Sequence, residues 1–155
     1  ISACLVGSEM CIRDRDGIAP QELQAIRSAQ PGVKLIQAIH VGHGDAGVPS
    51  IAAAMAAEPL VDALVLDSRT ADRIGGTGVP HDWSVSRRIV ERIGRPVILA
   101  GGLRPENLRA ALETVRPAAV DVNSGIEDAA GAKDPVRAEA FVLICRSWGR
   151  VPPAP

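Results

Sequence analysis

Aromatic residues are almost absent from this 155-residue chain, which has no Tyr, one Phe and two Trp. Surfaces that bind single-stranded nucleic acid commonly stack bases on aromatic rings, and a net charge of −1 does not attract a polyanion. No apolar run approaches the roughly 20 residues that span a bilayer. The three cysteines, Cys4, Cys11 and Cys145, form no CxxC pair and no disulfide framework. These absences argue against partners such as nucleic acid or a membrane, and we expect a cytoplasmic protein.

Aliphatic residues dominate the 46% hydrophobic content, and helix and strand patterns alternate from residue 20 onward. The chain is long enough for one domain with a sizeable core. Asp82 and Asp134 are predicted N-caps, and the last helix is expected to bury Val136, Ala140, Phe141 and Ile144. The patterns predict helices at 20–29, 49–57, 82–93, 105–114 and 134–146, and strands at 33–41, 61–66, 96–100 and 118–122.

The two ends of the chain differ from the part between them. Residues 1–15 show neither a helical nor a strand period, and Leu5 to Arg15 resembles a translated sequencing adaptor. We therefore treat residues 1–15 as a non-native segment and leave them out of fold reasoning. The Pro-rich residues 149–155 are expected to form a flexible tail.

Two consecutive strands break into glycine or small polar residues. Leu99-Ala100-Gly101-Gly102-Leu103 leads into a helix that Pro105 opens, and Val120-Asp121-Val122-Asn123-Ser124-Gly125 follows on the next strand. Backbone N–H groups exposed in such loops bind phosphate, and paired phosphate loops follow strands seven and eight of a (β/α)₈ barrel. A dinucleotide-binding fold would instead place its glycines after the first strand.

These loops predict phosphate-binding residues Gly101, Gly102, Asn123, Ser124 and Gly125. Four β/α units correspond to half of a barrel of about 250 residues. We expect an α/β fold, with residues 16–148 forming strands five to eight of a partial (β/α)₈ barrel of the ribulose-phosphate-binding type.

Two aspartates are candidates for chemistry at the strand ends. Asp67 is predicted to end the strand at 61–66, where a carboxylate can transfer a proton, or it caps the next turn. Asp121 lies within the predicted last strand, where it bonds either to neighbouring backbone or to a sugar hydroxyl.

Other polar clusters give weaker indications. The glycine loop Ile74-Gly75-Gly76-Thr77-Gly78 covers a ligand or is a simple connection. His40, His43 and Asp45 lie in a Gly-rich stretch without a complete ligand set, so we predict no metal site. Cys145 is expected to pack at the edge of the core.

Several of these motifs, taken in order, resemble phosphoribosylanthranilate isomerase, an enzyme of tryptophan biosynthesis. The resemblance spans roughly residues 20–142 and is specific because order and spacing agree. It is carried by Leu64-Val65-Leu66-Asp67-Ser68, Gly75-Gly76-Thr77-Gly78, His81-Asp82-Trp83, Leu99-Ala100-Gly101-Gly102-Leu103, Pro105-Glu106-Asn107, Val120 through Glu127 and Gly131-Ala132-Lys133-Asp134.

The resemblance implies an Amadori rearrangement of a phosphorylated aminoaldose without a metal or organic cofactor. Asp67 matches the family's general acid, which protonates the furanose ring oxygen, and Asp121 matches a sugar contact. Gly101, Gly102, Asn123 and Ser124 match the phosphate loops, with Asn123 where Ser is usual. The family's general-base Cys and an Arg from the second strand have no match. Cys11, followed by Ile12 and lacking the next glycine, is not assigned the role.

We therefore expect this chain alone to be inactive and to self-associate through unpaired strand edges. The alternatives are another ribulose-phosphate-binding enzyme, similar to indole-glycerol-phosphate synthase or thiamine-phosphate synthase, and a non-catalytic phosphate-ligand-binding relative. A relative of indole-glycerol-phosphate synthase should show a strand-borne catalytic Lys and Glu. Lys34 and Lys133 are the chain's only lysines, and neither is predicted at a strand's carboxyl end.

Overall fold

The structure is a computed structural model that describes residues 18–42, 47–70, 73–74 and 82–148. Helices and strands alternate along these residues, as the sequence patterns predict. The helices are α1 (Pro20–Ala29), α2 (Gly47–Ala57), α3 (Trp83–Arg92), α4 (Pro105–Val115) and α5 (Pro135–Trp148), and the strands are β1 (Ile36–Val41), β2 (Ala63–Thr70), β3 (Arg73–Ile74), β4 (Val97–Leu99) and β5 (Ala119–Val120). Two short 3-10 turns lie at Glu58–Leu60 and Ser124–Ile126.

One sheet organises the described residues. Its order is β1-β2-β4-β5 with all neighbours parallel, and β3 pairs antiparallel with the end of β2. Among the described strands the order never reverses, and parallel crossovers are right-handed, so successive helices fall on the same face of the sheet. A doubly wound sheet would need a reversal, so the described strands form a singly wound parallel α/β sheet.

The core lies between that face of the sheet and the helices. Alternate strand residues point toward the helices, and in register they form the row Ile39, Leu66, Leu99 and Val120. The first three are at most 6% exposed and belong to one buried cluster, against which Val120 packs. The opposite face carries no described helix, and Ile36 on it is 49% exposed.

Several details of the predicted elements are confirmed and others are wrong. Asp82 caps α3 by accepting from the Ser84 N–H at 2.9 Å, and Asp134 caps α5 by accepting from the Val136 N–H at 2.8 Å. The expected burial of Val136 is wrong, because its side chain is 74% exposed. The side of α5 that packs against the core carries Phe141, Ile144 and Cys145, which are spaced three or four residues apart as on one face of a helix. Val136 lies on a different side of the helix. Ala140 is half-buried, Phe141 is 5% exposed, and Ile144 and Cys145 pack against the core.

The carboxylate of Asp62 links α1 and the start of β1 to the start of β2, at the amino edge of the sheet. Asp62 accepts from the Leu35 N–H at 2.9 Å, from Arg27 at 2.8 Å and from Lys34 at 3.3 Å. The Leu35 N–H, followed by the Arg27 guanidinium, holds the pKa of the Asp62 carboxyl far below its usual value. This edge is opposite the one that carries the candidate site.

The two segments set apart in the sequence, 1–15 and 149–155, lie outside the described residues. Among the helices that are described, none has the length and hydropathy needed to cross a membrane.

Candidate active site

Asp67 and Asp121 lie in one row at the carboxyl edge of the sheet. The register pairs Asp67 with His40. It also pairs Leu66 with Leu99 and Leu99 with Val120, so Asp121 falls in the same row. The Asp121 N–H donates to the Leu99 carbonyl oxygen at 2.9 Å, which holds this row in place beyond the end of β5.

Both aspartates lie one residue beyond the helix-facing row. Because side chains alternate along a strand, Asp67 is directed toward the sheet face that no described helix covers. Asp67, His40 and Asp121 are half-buried there. A carboxylate in this place is accessible to a ligand and backed by strand hydrogen bonds.

The predicted strand positions of both aspartates need correction. Asp67 does not end its strand, because β2 continues to Thr70 through antiparallel pairing with β3. Asp121 is not within the last strand, because β5 ends at Val120. Both aspartates remain at the carboxyl edge of the sheet, because this is where the parallel pairing of β1, β2 and β4 ends.

The Gly101–Gly102 loop follows β4 with two left-handed residues, at φ 81° for Gly101 and 66° for Gly102. Side chains with a Cβ rarely adopt these angles, which accounts for the glycine pair. Asn107 stabilises the turn, since its Nδ2 donates to the Gly102 carbonyl at 2.9 Å and its Oδ1 accepts from the Arg104 N–H at 2.9 Å. Helix α4 then begins at Pro105, as predicted.

The Asn123–Gly125 loop follows β5 and touches the first loop. A Cβ added to Gly125 would overlap the carbonyl oxygen of Leu103 and lie 2.8 Å from the Leu103 carbonyl carbon. Only glycine permits this approach of two backbones. The predicted phosphate residues Gly101, Gly102, Asn123, Ser124 and Gly125 therefore belong to two loops in direct contact.

Two basic side chains that the sequence analysis did not place in the site contact the second loop. Lys133 Nζ donates to the Asn123 carbonyl at 2.9 Å and also binds Asn123 Oδ1 and Glu127. Arg137 donates to the Gly125 carbonyl and pairs with Glu106 of α4. A bond to its own backbone N–H, assisted by Arg137, lowers the pKa of Glu106.

Other side chains from the sequence analysis lie at or beyond the edge of this site. The Nδ1 atom of His40 is buried and has no hydrogen-bond partner among the residues that the structure describes. Burial raises the pKa of the Cys145 thiol, which packs against the core. His43, Asp45 and the Gly75–Gly78 loop lie outside the described residues. Within the described ranges, no three His, Cys, Asp or Glu side chains gather as metal ligands would.

Comparison with known proteins relates this geometry to a family. The model of the N-(5'-phosphoribosyl)anthranilate isomerase family matches residues 20–143. The chain belongs to this family. It is 43% identical over 120 residues to N-(5'-phosphoribosyl)anthranilate isomerase 2 of Methanosarcina mazei, an alignment that covers 76% of this chain and 51% of that protein.

Solved isomerase structures match the fold as well. The phosphoribosylanthranilate isomerase of Thermotoga maritima superposes with a TM-score of 0.66 at 30% identity, covering 81% of this chain and 57% of that one. An isomerase in complex with reduced 1-(o-carboxyphenylamino)-1-deoxyribulose 5-phosphate superposes with a TM-score of 0.62 at 28% identity, covering 81% and 55%. The chain spans about half the length of the curated isomerases it matches.

Proposed function

We propose that this chain supplies the general acid and the phosphate site of a phosphoribosylanthranilate isomerase. The reaction is the Amadori rearrangement of N-(5-phosphoribosyl)anthranilate to 1-(2-carboxyphenylamino)-1-deoxyribulose 5-phosphate. In this proposal β1, β2, β4 and β5 are strands five to eight of a (β/α)₈ barrel. Family membership and the one-directional strand order support it.

Asp67 is the proposed general acid. Protonation of the furanose ring oxygen breaks the bond from that oxygen to C1 and leaves a cationic Schiff base, which makes the C2 proton acidic. Removal of that proton gives an enaminol that tautomerises to the ketone. Asp67 performs the first proton transfer. Asp121, in the same row across the sheet, is the proposed contact to a sugar hydroxyl.

The substrate phosphate is proposed to bind between the Gly101–Gly102 loop and the Asn123–Gly125 loop. Both loops directly follow the ends of β4 and β5, next to the aspartate row, and the contact of Gly125 with the Leu103 backbone joins them. This shared edge, which holds Asp67, Asp121 and both glycine-containing loops, is the observation that carries the proposal. The isomerase complex noted above holds a 5-phosphate ligand, which is the same chemical class.

The chain alone is proposed to lack turnover and to self-associate. The family's general-base Cys and second-strand Arg have no counterpart among the described residues. Of the strands described, β1 and β5 each pair along one edge only. Unpaired edges favour association. Light scattering on the purified chain tests this, and a monomer at micromolar concentration would contradict it.

The decisive experiment co-expresses the chain with the N-terminal half of a relative and follows the loss of phosphoribosylanthranilate fluorescence. We expect turnover only with both parts, and Asp67→Asn should lower kcat by about 10²-fold or more. Glu91→Gln is the matched control, because Glu91 is an exposed α3 carboxylate paired with Arg87. Equal turnover in Asp67→Asn and Glu91→Gln would refute the role of Asp67.

A further inference from the structure

The side chains of Lys133 and Arg137 contact the proposed phosphate site from outside its two loops. We propose that they are positioning residues, which turn the carbonyl oxygens of the Asn123–Gly125 loop away from the anion and join this loop to the Gly101–Gly102 loop. The inference rests on the proposed function, since it assigns a role at that same phosphate site.

Lys133 holds the start of the second loop. The chain turns back at Asp128, whose Oδ1 accepts from the Ala130 and Ala132 N–H groups at 2.8 and 3.0 Å. Lys133 then pairs with Glu127 in an antiparallel bridge, and its Nζ lies 2.6 Å from Glu127 Oε1. The same ammonium reaches the Asn123 carbonyl at 2.9 Å and the Asn123 Oδ1 at 2.5 Å. One cation thus engages both oxygens of Asn123.

Arg137 holds the end of the second loop and joins it to α4. Its Nε and Nη2 donate to the Gly125 carbonyl at 3.2 and 3.1 Å. Its Nη1 lies 3.1 Å from Glu106 Oε1 and its Nη2 lies 3.2 Å from Glu106 Oε2. Both edges of the planar guanidinium are therefore in use, a geometry that lysine cannot reproduce. Glu106 lies in the first turn of the helix that begins just after Gly101–Gly102.

The direction of these contacts suits an anion site. In a trans peptide, the carbonyl and the following N–H point in opposite directions. Drawing the Asn123 carbonyl toward Lys133 therefore turns the Ser124 N–H the other way. Asn107 does the same for Gly102, which turns the Leu103 N–H away from Asn107. Carbonyl oxygens would repel a phosphate, so these two contacts leave the Ser124 and Leu103 N–H groups to face it, while the Ile126 N–H donates to the Asn123 carbonyl.

This role differs from simple stabilisation of the fold. The Lys133 side chain is 49% exposed, and ion pairs this exposed contribute little to the free energy of unfolding. Removing the ammonium should therefore weaken phosphate binding while it leaves the melting temperature almost unchanged.

The test titrates inorganic phosphate into the ¹⁵N-labelled 155-residue chain, in phosphate-free buffer, and follows the backbone amide signals. In the wild type we expect the Gly101, Gly102, Leu103, Ser124 and Gly125 amides to shift together. Lys133→Met should raise the phosphate Kd about tenfold, the scale of one lost charge-assisted hydrogen bond. It should reduce the Ser124 and Gly125 shifts more than those of Gly101 and Gly102.

Lys34→Met is the matched control, because Lys34 is the chain's other lysine and binds Asp62 at the opposite edge of the sheet. Its Kd should equal that of the wild type, and Lys133→Arg should restore part of the affinity. Arg137→Lys keeps the positive charge but loses the planar guanidinium that joins the two loops. We therefore expect smaller phosphate-induced amide shifts in both loops.

The outcomes separate the two proposals. If phosphate shifts none of these amides in the wild type, the phosphate site itself is refuted, together with the positioning roles. If the wild type binds phosphate and Lys133→Met and Arg137→Lys bind it equally well, the site stands and the positioning roles are wrong. The same conclusion follows if Lys133→Met loses affinity only in proportion to lost folded protein.

Discussion

Replacing Gly125 with Ala tests the contact between the two loops. The added Cβ would overlap the Leu103 carbonyl oxygen and lie 2.8 Å from the Leu103 carbonyl carbon and 3.1 Å from Arg104 Cα, whereas ordinary contacts begin near 3.4 Å. All three are backbone atoms, so no side-chain rotation relieves the overlap and the loops must separate. Forcing an extra carbon into packed structure costs about 1–3 kcal/mol.

Thermal unfolding measures this cost directly. In a protein of this size, 1 kcal/mol corresponds to about 2–4 °C, so Gly125→Ala should lower Tm by roughly 2–12 °C. The same variant should lose phosphate-induced shifts in both loops, because separating them widens the proposed site.

Gly32→Ala is the control for Gly125→Ala. A Cβ at Gly32 meets nothing within 4 Å, and the Gly32 backbone is not left-handed. This change should leave stability equal or raise it by about 0.4–1 kcal/mol. The reasoning fails if Gly125→Ala unfolds at the same temperature as Gly32→Ala and still binds phosphate.

Two further predictions concern the core and the amino edge of the sheet. Phe141 is 5% exposed, so Phe141→Ala should lower the free energy of unfolding in urea by about 3–5 kcal/mol. Leu143 is 56% exposed, so the control Leu143→Ala should change it by about 0.5 kcal/mol or less. Similar losses in the two variants would refute the assigned orientation of α5. Because Leu35 and Arg27 lower the Asp62 pKa, this carboxylate stabilises the fold above its unfolded pKa, near 3.8, and the stability is lost as pH falls below that value. The urea midpoint of Asp62→Asn should therefore lie below that of the wild type at pH 7 and approach it toward pH 2, and a constant difference would contradict the linkage.

Elements with strong local signals could be predicted from the sequence. The helix predicted at 20–29 is α1, because Pro20 starts it and the apolar spacing persists to its end. The predicted N-caps Asp82 and Asp134 are also confirmed, because capping depends on residues next to each other in the sequence. Strand ends were predicted less well: the strand expected at 118–122 has two paired residues in β5, and β2 extends past Asp67. Strand limits depend on what the neighbouring chain pairs with, which local propensity does not contain.

In the candidate site, too, some residues could be predicted from local sequence and others could not. The turn at Gly101–Gly102 could be predicted from the sequence, because left-handed backbone favours glycine and both residues have positive φ. The roles of Lys133 and Arg137 could not be predicted, because each depends on how the turn after Glu127 and the helix α5 fold back on the loop. The available signal was two cations four residues apart around the Asp134 cap, a pattern typical of many exposed helix starts.

The alternation along the strands has a consequence for how this protein can change. Leu66 and Leu99 face the helices, while the neighbouring Ala38, Ile98 and Ala119 share the other face with Asp67. Substitutions at the first set lower the free energy of unfolding, and under the proposed function substitutions at the second set change the surroundings of the substrate. Under the proposed function, a mutant library restricted to Ala38, Ile98 and Ala119 should therefore change ligand preference with little effect on the helix-packed interior.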